Sequence, residues 1–122
     1  MKLREAIDRI DSLKHNTYTR GEKVDWLNRL DGMIKREIID THEGGEDVPF
    51  EGYTEKDMEK ELLIGYPYDE MYIRWLEVQI DYYNGEYEKY NNAMEMFNTA
   101  YAGFKNYYNR THMPKGKKFK FF

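Results

Sequence analysis

Arg36 and His42 have the residue types and spacing of a phosphate-binding arginine and a proton-transferring histidine. Five residues separate them along the chain. Such a pair could cleave a phosphodiester, because the arginine would hold the phosphate while the imidazole moves a proton. The flanking residues Glu37, Asp40 and Glu43 are acidic, however, and would repel a polyanion such as RNA. A solvated helix end is therefore the simpler interpretation of this pair.

The chain lacks the residues that several other kinds of catalysis require. The chain has no cysteine, which excludes thiol catalysis, thiolate metal sites and disulfides. Its single serine, Ser12, lies outside any nucleophile-elbow sequence. The segment after His42 lacks the second histidine of a zinc protease, and the acidic stretch lacks the ligand spacing of an EF-hand. We therefore predict a protein that is not an enzyme, with no metal site and no cofactor.

Length and charge limit the class of protein further. A chain of 122 residues has the usual size of one domain. Its net charge of -4, from 19 basic and 23 acidic residues, argues against sequence-specific nucleic-acid binding. No apolar run reaches the roughly 20 residues that a membrane span needs, and we expect neither secretion nor a membrane partner. These features favour a protein that acts by binding other proteins.

Two segments of opposite charge are candidates for such binding. Residues 37–61 contain ten acidic side chains and two lysines, whereas no acidic residue follows Lys105. Lysine and phenylalanine alternate near the C-terminus, a period that suits strand-like docking, and the alternative is a disordered end. We predict that this tail contacts the acidic segment of a neighbouring copy. The predicted interaction residues are Lys117, Lys118, Phe119, Lys120, Phe121 and Phe122, together with Glu46, Asp47 and Glu51.

The elements that position these segments are helical. Apolar residues at helical spacing predict a helix over residues 2–14, and Thr19 with Glu22 forms a capping box that begins a second. A long acidic loop over residues 40–66 follows, with a short helix predicted at 55–63. Asp69 is predicted to cap a central third helix through its carboxylate.

A helical hairpin should complete the fold. Asn84 and Gly85 are residue types that end helices, and a fourth helix is predicted from Glu86 to His112. Its aromatic and methionine residues recur in steps of three and four, as in a coiled-coil seam. We therefore predict an all-α fold, a small bundle of about four helices. A single domain would span residues 1–113, and a basic aromatic tail residues 114–122.

A series of short motifs in the C-terminal half resembles small head-tail connector proteins of tailed bacteriophages and prophages. The series begins with Pro-Tyr-Asp before the third helix, continues through Tyr-Asn-Asn, and ends with Tyr-Tyr-Asn-Arg-Thr-His-Met-Pro. The resemblance implies roles in capping, packing and polar bonding along the hairpin. The residues that carry it are Pro67, Tyr68, Asp69, Tyr72, Tyr90, Asn91, Asn92, Asn109, Arg110, Thr111 and His112.

The same resemblance implies a function. Such a subunit would self-associate into a ring beneath the portal protein and carry the next neck or tail component, without catalysis. It would lie in the virion neck, or in the host bacterial cytoplasm when expressed from a prophage. One alternative is a cytoplasmic helical protein-protein interaction module. A weaker one is a ribonuclease of the HEPN type, which the spacing of Arg36 and His42 resembles.

Overall fold

Four α-helices account for most of the computed structural model, which describes residues 1–116. They are α1 (Leu3–Leu13), α2 (Arg20–Glu37), α3 (Glu70–Tyr83) and α4 (Tyr87–Thr111), with 3-10 turns at Ile39–Thr41 and Gly45–Asp47. No strand occurs within the described range. The predicted all-α bundle and C-terminal hairpin are confirmed, whereas the predicted docking residues 117–122 lie outside the described residues.

The first two helices begin where the sequence predicts. Helix α1 buries Leu3, Ile7 and Ile10 against the rest of the bundle. At the start of α2, the Glu22 N–H donates to the Thr19 hydroxyl at 3.1 Å, and the Thr19 N–H donates to the Glu22 carboxylate at 3.2 Å. The predicted capping box is therefore present.

Helix α3 is the central element, as predicted. It packs against α1, α2 and α4, and Met71, Tyr72, Leu76 and Ile80 are completely buried. The prediction that the Asp69 carboxylate caps this helix is wrong, because Asp69 already has helical backbone angles and makes no capping bond. Its carboxylate instead accepts a hydrogen bond from the Met1 amino group at 3.2 Å.

The turn between α3 and α4 has the predicted residue types. Gly85 has φ +72°, in the left-handed region that favours glycine, and its N–H donates to the Tyr82 carbonyl at 3.0 Å. Helix α4 then runs back along α3 and buries Phe97, Phe104 and Tyr108. Tyr87, the first residue of α4, is 69% exposed.

The helix predicted at 55–63 is absent, because the backbone of this segment bonds elsewhere. The carbonyls of Met58 and Lys60 accept from the N–H groups of Arg4 and Leu3, at 2.8 and 2.9 Å. These donors belong to the first turn of α1, where backbone N–H groups have no acceptor within the helix. The connection between α2 and α3 therefore satisfies the start of α1 and is packed against the bundle.

The end of α4 is fastened to the same connection. The Glu43 N–H donates to the Met113 carbonyl at 2.7 Å, and the Lys115 N–H donates to the Thr41 carbonyl at 2.8 Å. Pro114 forms an isolated bridge with His42 between these bonds. Residues 114 and 115, predicted to begin the tail, are thus bonded to the helical domain.

Candidate functional site

A buried carboxylate lies where α2, α3 and their connection meet. Asp31 is fully buried and accepts hydrogen bonds from the hydroxyls of Tyr53 and Tyr72, at 2.5 and 2.7 Å. The two hydroxyls in turn accept from the N–H groups of Leu63 and Ile64, at 2.9 and 2.8 Å. This cluster, here called the Asp31 network, joins two helices to the loop that precedes α3.

Burial changes the ionisation of the network. It raises the pKa of Asp31 to about 6, although the bonds from Tyr53 and Tyr72 favour the carboxylate. Burial, and then the charge of Asp31, raises the pKa of both tyrosines, so their hydroxyls stay protonated as donors. Since Asp31 and Tyr72 are completely buried, the network holds the fold and offers no surface to a substrate.

We expect the Asp31 network to make stability depend on pH between 5 and 7. The folded pKa of about 6 exceeds the ordinary value of 3.8, so the folded state binds more protons in this window. Stability should therefore rise as the pH falls, by about 1 kcal/mol for this group between pH 7 and pH 5.

The measurement is urea unfolding of the wild type and of Asp31→Asn at several pH values. Groups that titrate in both proteins cancel in the difference between them. The advantage of the wild type over the variant should grow toward pH 5, and a difference that stays constant would contradict the assignment to Asp31.

The structure assigns His42 a packing role. Its ring is 4% exposed, with Nδ1 2.5 Å from the Ile38 carbonyl oxygen and Nε2 2.8 Å from the Asn109 side chain. The ring also lies edge-on against Tyr108, with the two centroids 4.9 Å apart. Arg36 is exposed, and no described contact joins it to His42. The two residues therefore do not converge on a common pocket.

The motifs at the two ends of the resembling series meet in space. Tyr68 stacks on Tyr107 at 4.8 Å and contacts Phe104 edge-on at 5.9 Å, while His112 stacks on Tyr108 at 3.8 Å. Between these rings lies a cavity of about 370 Å³, here called the aromatic groove. Its walls include Val48, Tyr66, Pro67, Tyr68, Tyr107 and His112. Tyr66, at its edge, is 90% exposed, so the groove presents aromatic surface to solvent.

A second aromatic surface lies at the turn between α3 and α4. Tyr82, Tyr83 and Tyr87, here called the hairpin-end surface, are each at least half exposed. Tyr83 stacks on Trp26 with centroids 5.7 Å apart, and Tyr18 contacts Trp26 edge-on at 5.4 Å. Tyr83 follows the buried residues Leu76 and Ile80 of α3 at helical spacing, but its side chain is 58% exposed because α3 extends past the core at this end.

The remaining motif residues divide into packed and exposed groups. Tyr90 is half-buried with its ring 5.5 Å from that of Tyr82, and Asn109 bonds to His42. Asn91, Asn92 and Arg110 are exposed, and their side chains form no hydrogen bond with another part of residues 1–116. The side-chain bond of Asn109 therefore joins α4 to the connection between α2 and α3, and not to α3 along the hairpin.

The predicted acidic interaction residues lie on the surface of the connection. Glu46 forms an ion pair with Lys115 at 2.8 Å, which lowers the pKa of Glu46 and raises that of Lys115. Asp47 and Glu51 are exposed. Glu51 borders a cavity of about 300 Å³, here called the acidic groove, whose lining also includes Pro49, Phe50, Tyr53, Lys60, Glu61 and Leu63.

Comparisons with known proteins assign no relatives. No protein-family model, curated protein or solved structure matches this chain. Within residues 1–116, no three histidine or carboxylate side chains converge as metal ligands. None of the four helices that the structure describes is both long and apolar enough to cross a bilayer.

Proposed function

We propose that this chain is a non-catalytic head-tail connector subunit of a tailed phage or prophage. It assembles into a ring under the portal protein and joins the capsid to a neck or tail component. The observation that carries the proposal is the presence of two exposed aromatic surfaces at opposite ends of α3, the aromatic groove and the hairpin-end surface. Five of the motif residues support it, since Pro67, Tyr68 and His112 line the groove, Tyr72 holds the loop beside it, and Asn109 fastens α4.

The separation of the two surfaces suits side-by-side assembly. Helix α3 has 14 residues, so the surfaces lie about 20 Å apart along its axis. They differ in composition: Tyr66, Pro67 and His112 border the first, whereas Tyr83 in the second lines cavities of about 270 and 250 Å³, the latter together with Tyr82. A contact between unlike surfaces of successive copies is heterologous, and it closes into a ring when the rotation between copies allows.

The charged segments provide a second kind of contact in this proposal. Asp47 and Glu51 are exposed on the connection, and the six basic residues of the last part of the chain carry the opposite charge. Complementary charges set the orientation and rate of association more than its strength. We place the assembled subunit in the virion neck, and before assembly in the cytoplasm of the bacterial host.

A general helical protein-protein interaction module is the second candidate, because the same aromatic surfaces would also serve a partner that forms no ring. The two functions differ in stoichiometry. The ribonuclease alternative gains no support, since Arg36 is exposed and His42 is buried with both ring nitrogens beside polar partners.

The test is co-purification with the portal protein encoded nearby, followed by mass determination of the complex. We expect a defined complex that contains many copies of this chain on one portal ring. A chain that stays monomeric and does not bind the portal would contradict the connector proposal and favour the interaction module.

A further inference from the structure

The last described residues bring the chain to the acidic connection. The backbone of Lys115 is bonded to Thr41, and its ammonium group pairs with Glu46 at 2.8 Å. Gly116 follows with φ +70° in a turn. The described part of the chain therefore ends beside the acidic segment.

The acidic groove lies a few residues further along that segment. Pro49, Phe50 and Leu63 form apolar walls, and Phe50 lies edge-on against Tyr53 with centroids 5.3 Å apart. The exposed carboxylate of Glu51 borders the opening.

Two further charged groups of the lining already have partners. Glu61 pairs with the Met1 amino group at 3.1 Å, and Lys60 donates to the Gly52 carbonyl at 3.4 Å. An apolar ring with a neighbouring cation would therefore meet complementary chemistry at the Glu51 side of the groove.

The acidic segment has exposed carboxylates available to the lysines of the tail. Within residues 1–116, Glu43, Asp47 and Glu51 are among the exposed carboxylates that have no ion-pair partner. The tail contributes three lysines, Lys117, Lys118 and Lys120, and the aromatic residues Phe119, Phe121 and Phe122. In an extended tail, Phe119 and Phe121 share one face and Lys118 and Lys120 the other, so rings and ammonium groups can bind at the same time.

The length of the tail determines whether it can contact the acidic groove of its own chain. Pro49 is three residues after Glu46, so the Cα atoms of these two residues lie within about 11 Å of each other, and the five residues from Lys117 to Phe121 span about 17 Å when extended. A tethered segment acts at an effective concentration of order millimolar, well above that of a second copy in a dilute solution.

We propose that residues 117–122 bind back on the same chain, with Phe119 and Phe121 in the acidic groove and the lysines beside Glu43, Asp47 and Glu51. This inference does not depend on the connector proposal. It goes beyond that proposal because the tail covers the acidic groove in the isolated chain. A neighbouring copy or another partner can then bind the groove only after the chain's own tail has dissociated from it.

The experiment uses the full chain with Phe122→Cys, which a nitroxide spin label modifies at one site because the natural sequence has no cysteine. Amide signals of Phe50, Glu51 and Leu63 in the labelled, nitrogen-15 chain should lose most of their intensity. A second sample contains two kinds of chain, one with the spin label but no nitrogen-15 and one with nitrogen-15 but no spin label. The amide signals of this mixed sample should keep their intensity.

A matched pair of variants tests the role of charge. Glu51→Gln should restore much of the lost intensity, whereas Glu95→Gln, the same change at an exposed position in the middle of α4, should not. Intensity loss that appears in the mixed sample would overturn the proposal by assigning the tail to a second copy. Unchanged intensities in both samples would overturn it by showing that the groove does not bind the tail.

Discussion

Replacing Asp31 with alanine should lower the free energy of unfolding by about 3 kcal/mol, because two buried hydroxyls lose their acceptor at once. Those hydroxyls belong to Tyr53 and Tyr72 and lie 2.5 and 2.7 Å from the carboxylate. Each left without an acceptor costs about 1–3 kcal/mol, and the cost of burying the charge, visible in the raised pKa of Asp31, offsets part of the total.

The measurement for Asp31→Ala is urea unfolding followed by circular dichroism at pH 7. Asp25→Ala, in the same helix, is the matched control, because Asp25 is exposed and forms an exposed ion pair with Arg29 at 2.9 Å. The control should change stability by less than about 0.5 kcal/mol. Equal effects of the two substitutions would mean that the Asp31 network does not hold the loop in place.

Removing one aromatic side chain from either surface should abolish the proposed assembly of subunits into a ring. Tyr66→Ser changes the aromatic groove and Tyr87→Ser the hairpin-end surface, where the two side chains are 90% and 69% exposed. Aromatic side chains at the centre of interfaces contribute about 2–4 kcal/mol, or roughly 30-fold to 1,000-fold in affinity. Every contact in a ring would carry the defect, so the multimer on the portal should disappear while the monomer stays folded.

Mixing the two variants tests whether the contact is heterologous. Tyr87→Ser retains an intact groove and Tyr66→Ser an intact hairpin end, so one wild-type contact can form between them. The mixture should contain a discrete heterodimer in sedimentation velocity, although neither variant associates alone. Met96→Ser, at a 49% exposed position between the two surfaces, should assemble like the wild type. Rings of normal size from Tyr66→Ser or Tyr87→Ser would contradict the proposed contact.

Local patterns in the sequence predicted the helices well. The capping box of Thr19 and Glu22, the Asn84-Gly85 turn and the seam of α4 are each formed by residues a few positions apart, so their physics is present in the sequence. The prediction of a helix at 55–63 is wrong because the conformation of this segment depends on residues that are distant in the sequence. The carbonyls of Met58 and Lys60 bond to the distant start of α1, and this competing partner is invisible to a local pattern.

The candidate functional residues likewise divide into those that the sequence indicated and those that only the structure revealed. Pro67, Tyr68 and His112 were singled out through a resemblance to connector proteins, but the resemblance did not place them around one groove. It also missed Asp31, which resembles any polar residue in the middle of an amphipathic helix. Its role depends on Tyr53 and Tyr72, which are 22 and 41 residues further along the chain.

By itself, the sequence determined the helical class, the C-terminal hairpin, the absence of thiol chemistry and the separation of acidic and basic segments. These properties follow from composition and from interactions within one or two helical turns. Only the tertiary structure decided that His42 is a packing residue, that Tyr83 lies outside the core and that Lys115 bonds to the acidic connection. Burial and partner choice depend on which distant segments meet, and that is set by packing of the whole chain rather than by residue spacing.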